Sequence, residues 1–160
     1  MEGEACVQLG ALLFDKVPQG TSRSRQQRQH YQEAMEPLEF AVRVCQEVRL
    51  VVAKMKLGCC YLELEEYEKS VKLHTESVAE AKGKPQELSC ALINLGNSYA
   101  MMSRQPQHMH RSKDAARAYE EAIKASEQEG NKVISLFHMH FILHIIYTFN
   151  SQQHVRHISG

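Results

Sequence analysis

Two stretches of the chain carry one triplet at one internal spacing. Leu57, Gly58 and Tyr61 stand in MKLGCCYLELEEY, and Leu95, Gly96 and Tyr99 in INLGNSYAMMSRQ. The offset from Gly58 to Gly96, 96 − 58 = 38, equals that from Tyr61 to Tyr99, 99 − 61 = 38. Self-similarity at a period of about 20 to 50 residues marks a chain built from stacked structural units. The stretch after each triplet repeats as well. Ser70, His74 and Ser77 follow the first at i, i+4 and i+7, and Ala115, Tyr119 and Ala122 follow the second at the same spacing. Helical periodicity puts each trio on one face, a large residue flanked by small ones. A helix needs that face when another helix must approach it closely.

A glycine inside an amphipathic helix costs about 1 kcal/mol relative to alanine. Close approach of a neighbouring helix accounts for that cost. A nucleotide-binding role does not, because neither G-x-G-x-x-G nor G-K-[ST] surrounds Gly58 or Gly96. A fainter copy precedes both, with Leu9-Gly10 followed by Ala34, Leu38 and Ala41 at i, i+4 and i+7.

Over about residues 5–129 the chain resembles the tetratricopeptide repeat family. In that family a helix pair is marked by L-G-x-x-Y in its first helix and A-x-x-x-F-x-x-A in its second. Tyr31 and Tyr67 stand at the aromatic position between helices, three residues before Ala34 and Ser70. The departures are His74 at the large position, Ser70 and Ser77 in place of alanines, and periods longer than the family's usual one. The resemblance implies an all-α, right-handed α-solenoid of about three helix pairs. The repeat domain is expected over residues 1–130, with units at about 5–46, 49–82 and 87–129, and a divergent tail over 131–160. Periodicity and breakers predict helices near 4–15, 32–46, 49–64, 67–82, 87–102 and 112–129. Gly83-Lys84-Pro85 separates units two and three. Pro37 is acceptable if its helix begins near Glu33 or Ala34, since first-turn N–H groups have no helical partner to lose.

The resemblance also implies a concave groove lined by the first helices. In unit two it falls on Val52, Met55, Cys59, Leu62 and Glu63, and in unit three on Cys90, Ile93, Asn97, Ala100 and Met101. Unit one offers Val7, Ala11, Phe14 and Asp15. The lysine that chaperone-tail clamps place at the fifth position is replaced by Val7, Met55 and Ile93, so no carboxylate clamp is expected. An apolar groove with flexible methionines suits an amphipathic or extended apolar peptide segment of another protein. The expected function is therefore non-catalytic protein binding, as a scaffold or adaptor. The alternative is a truncated or variant form of a longer repeat protein.

No catalytic or cofactor constellation emerges, and no cofactor or metal is expected. His108-x-His110 and His138-x-His140 lack a matching cysteine or carboxylate pair at ligand spacing. Vicinal Cys59-Cys60 has no neighbouring histidine or basic residue in sequence to activate it. The five cysteines (Cys6, Cys45, Cys59, Cys60 and Cys90) show no C-x-x-C spacing, fall in expected helices, and read as buried free thiols of a reducing compartment. Nothing after Met1 resembles a secretory signal. A cytoplasmic or nuclear location is expected. Charge is balanced at 19 basic and 19 acidic residues, so nucleic acid is not an expected partner.

Two insertions break the units at equivalent places. KVPQGTSRSRQQRQH carries Arg23, Arg25 and Arg28, and SRQPQHMHRSK carries Arg104, Arg111 and Lys113. Both read as solvated loops, with a basic edge for an acidic partner as the rival. Residues 133–149, VISLFHMHFILHIIYTF, carry no charge from end to end. Such a segment is expected to dock on unit three while leaving apolar surface, and hence to drive self-association or membrane contact, with an aberrant end to a longer array as the rival reading.

Overall fold

The computed structural model describes residues 2–15 and 25–128. Among these the chain is all-α, without a strand. Six α-helices follow in order: α1 (Glu2–Asp15), α2 (Arg25–Val44), α3 (Glu47–Glu63), α4 (Tyr67–Glu80), α5 (Pro85–Met102) and α6 (Ser112–Gln128). A 3-10 helix, Pro106–Arg111, lies between α5 and α6. The expectations for residues 16–24 and for the tail over 133–149 lie outside the described residues.

The breaks have local causes. Gly83 takes a φ of 79° beyond α4, in the left-handed region that glycine enters without steric cost. Pro85 opens α5, where a missing N–H removes no helical bond. The turn after α3 is a Schellman motif. Glu66 N–H donates to the Tyr61 carbonyl at 2.9 Å and Glu65 N–H to that of Leu62 at 3.1 Å. Its left-handed position is filled by Glu65 at φ 68°, where glycine is usual.

Helices pack as consecutive pairs, α1 with α2, α3 with α4 and α5 with α6, and each pair meets the next through α2–α3 and α4–α5. The first helices also touch one another, α1 with α3 and α3 with α5. Among the described residues α2, α4 and α6 make no comparable mutual contacts.

Inside each pair the marked glycine meets the large residue of the second helix. A methyl group on Gly10 would stand 2.5 Å from Leu38 Cγ, on Gly96 2.5 Å from Tyr119 Cε1, and on Gly58 within collision distance of the His74 imidazole. Leu38, His74 and Tyr119 are fully buried. Leu57 and Cys60 join Ala34 and Leu38 in one apolar cluster, while Leu62, Tyr67 and Met102 form another between α3, α4 and α5.

Three expectations are corrected. Helix α2 begins at Arg25 rather than near residue 32, so Arg25 and Arg28 belong to a helix and not to an insertion. Pro37 consequently sits inside α2 and leaves the Glu33 carbonyl without its i+4 donor. The insertion of unit three is also not a loose loop. Its 3-10 helix packs on α5 and α6, with the Arg111 guanidinium 5.6 Å from the Tyr99 ring centre and 3.0 Å from Asp114. The five cysteines are thiols rather than disulfides, but Cys90 is exposed and Cys45 lies just past the end of α2.

Candidate peptide-binding face

The expected groove residues lie on α3 and α5, the first helices of their pairs. Helical spacing aligns Val52, Met55 and Cys59 on α3, and Cys90, Ile93, Asn97 and Met101 on α5. Cys90 is exposed, and Val52, Met55, Cys59, Ile93, Asn97 and Met101 are half-buried. Leu62 differs. It is closed in beside Tyr67 and Met102 and belongs to the wall beneath the face. Ile93 and Met101 each rest one side on the core, Ile93 against Leu92, Ala122 and Ala125, and Met101 against Leu62 and Tyr67. In unit one, Phe14 stacks near Tyr31 at 5.3 Å, and Lys56 lies 5.0 Å above its ring while pairing with Asp15 at 3.2 Å.

Beneath Cys59 runs a buried polar chain that joins three helices. His74 Nε2 is 3.2 Å from the Met55 carbonyl, its Nδ1 is 2.8 Å from Ser98 Oγ, and Ser70 Oγ is 2.8 Å from Ser98 Oγ. A carbonyl only accepts, so Nε2 carries the proton and Nδ1 is left as an acceptor. One consistent order follows: Ser70 donates to Ser98, Ser98 gives its single proton to Nδ1 at 2.8 Å rather than to the Asn94 carbonyl at 3.0 Å, and Nε2–H donates to Met55. Every member is satisfied while the imidazole stays neutral. Burial, opposed by the Met55 bond, pushes the His74 pKa down to about 4.

Cys59 Sγ is 3.9 Å from His74 Nε2, which invites a nucleophile–base reading. Burial pushes the Cys59 thiol up to about 12 and the imidazole in the other direction. A thiolate–imidazolium pair requires the opposite shifts. The contact is therefore packing between a neutral thiol and a neutral ring. Cys60 is likewise pushed up to about 12 by burial. Among the described residues no group of three or more His, Cys, Asp or Glu is placed to hold a metal ion.

Asn97 is fixed from below. Tyr119 Oη donates to its Oδ1 at 2.8 Å, and burial holds the phenol well above its ordinary pKa despite nearby Arg104. Lys54 ties α3 to α4 through Glu76 at 3.0 Å and Glu80 at 3.3 Å. Burial works against its charge, but the bonds and attraction of these carboxylates prevail and hold its pKa above the ordinary value. An open cavity of about 500 Å³ lies elsewhere, between the start of α1 and the α2–α3 turn.

Sequence reasoning missed Ser98, the centre of the polar chain. Its only sequence signal is its place facing the second unit's unusual trio of Ser70, His74 and Ser77. No family model matches the chain, and no curated protein matches it. Among the described residues no helix is long and apolar enough to cross a membrane.

Proposed function

We propose that this chain is a non-catalytic protein- or peptide-binding module of tetratricopeptide type, acting as a scaffold or adaptor through the face of its first helices. The observation that carries the reading is the asymmetry of helix contacts. First helices touch across units and second helices do not, a pattern that curves a stack with its first helices inside. Half-buried Val52, Met55, Ile93 and Met101 on that inner side suit an apolar segment of another protein. Neutral Cys59 and His74 favour a structural use over nucleophilic chemistry. Five cysteines kept as thiols fit a reducing compartment, and we place the module in the cytoplasm or nucleus.

The test is affinity capture from cell extract with the wild-type chain beside Met55→Glu/Cys90→Glu. A set of bound proteins lost from the variant, at unchanged helicity, supports the reading. An identical set on both chains refutes it.

A further inference from the structure

We propose that the chain pairs with a second copy of itself through the outer edge of α1, the two α1 helices lying antiparallel with Leu9 and Leu12 buried between them. The marked glycine sets the register of each first helix. Counted from it, Leu9 and Leu12 of α1 stand where Leu57 and Cys60 stand on α3, and where Leu95 and Ser98 stand on α5. On the later helices these positions meet the second helix of the preceding pair. Leu57 and Cys60 share a cluster with Ala34 and Leu38 of α2, and Ser98 bonds Ser70 and His74 of α4. Leu57 and Cys60 are accordingly 4% and 0% exposed, whereas Leu9 and Leu12 are 51% and 59% exposed. Among the described residues α1 contacts α2 and α3 and no other helix, so this edge is uncovered. Helical rotation puts Leu9 and Leu12 on a different side of α1 from Val7, Ala11 and Phe14, and the inference does not depend on the peptide-binding reading.

A second copy fits because the edge is self-complementary. A two-fold interface sets one patch against itself, so the patch must both offer and receive. Ala5 and Leu9 repeat the i, i+4 spacing of Ala34 and Leu38, the pair with which α2 covers Leu57 and Cys60. One α1 therefore carries both the positions to be covered and the pattern that covers them. An antiparallel pair centred between Gln8 and Leu9 sets small Ala5 opposite Leu12 of the second copy, and Gln8 opposite its Leu9. Residues 5–14 carry no charge. The acids of α1 stand at its two ends, Glu2 and Glu4 at one and Asp15 at the other. Glu4 already pairs with Arg49 at 3.0 Å and Asp15 with Lys56 at 3.2 Å. Repulsion is thus confined to the ends of the contact, and added salt should leave the pairing intact. A helix of 14 residues is about 21 Å long, short of what a standard interface of about 800 Å² per partner needs, so the pair is weak and reversible.

The experiment has two arms, both on the full chain. Sedimentation velocity over a rising concentration series compares wild type with Leu9→Gln/Leu12→Gln. Wild type is expected to pass from monomer to dimer at tens of micromolar, and the variant to dimerise roughly tenfold more weakly at unchanged helicity. A wild type that stays monomeric at hundreds of micromolar, or self-association that the variant does not weaken, overturns the proposal. In the second arm a benzophenone side chain replaces Leu12 in a mixture of nitrogen-15-labelled and unlabelled chains, and crosslinked peptides are mapped by mass spectrometry. Mixed-isotope products that land on residues 2–9 of the second copy support the antiparallel pairing. Products on residues 129–160 instead, or no product between chains, overturn it. Capture of a different protein from cell extract at position 12, without a chain-to-chain product, assigns the edge to that protein and overturns it as well.

Discussion

Gly58 has no room for a side chain, because the His74 ring occupies the space a methyl group would need. Alanine there gains about 1 kcal/mol of helix propensity, but overpacking typically costs about 1–3 kcal/mol. The imidazole cannot retreat without breaking its bonds to Met55 and Ser98. The overpacking cost therefore falls in the upper half of that range, and Gly58→Ala is expected to destabilise the chain by about 1–2 kcal/mol net, measured as the shift of the urea midpoint. In a His74→Ala background the same substitution should cost little or turn stabilising. His74 itself predicts an acid response. Its unfolded pKa of 6.5 exceeds its folded value of about 4, so the unfolded chain takes up a proton first as pH falls. Stability is full above pH 6.5 and declines until about pH 4, by about 3 kcal/mol in all. Denaturation at about pH 7 and about pH 4.5 for wild type and His74→Phe measures this, and the wild type should lose more. The glycine-to-large-residue contact was legible in sequence, since both partners recur at fixed places. The serine chain was not, because Ser98 meets His74 only through tertiary packing.

At the scale of elements, boundaries were legible where Gly or Pro marks them and obscure where they do not. Gly83-Lys84-Pro85 marked the α4–α5 break directly. The start of α2 was hidden because RQQRQH has good helix formers but no apolar period, and Pro37 suggested a later beginning. The Schellman turn after α3 escaped notice because Glu65 holds its left-handed position. That position predicts a stabilising change: Glu65→Gly should raise stability by about 1 kcal/mol by relieving left-handed strain, seen as a higher urea midpoint. The 3-10 helix owes its order to Arg111, whose contacts with Tyr99 and Asp114 no sequence period announces. Arg111→Ala should speed amide hydrogen exchange over residues 106–111 while leaving exchange in α3 and α4 unchanged.

At the scale of the whole molecule, stability is passed from neighbour to neighbour, since each pair meets only the next through its described contacts. Period and glycine placement sufficed to foresee paired helices. How much of each groove residue is spent on the core, as with Leu62, depended on packing that spacing does not encode. The most direct measurement of the binding role is site-specific photocrosslinking in cell extract. A benzophenone side chain is placed at Val52 or Cys90 on the first-helix face, or at exposed Ala79 on α4. Binding through the first helices predicts the same captured proteins from positions 52 and 90 and none of them from 79. Capture from 79 equal to that from 52 and 90, or from 79 alone, would contradict it.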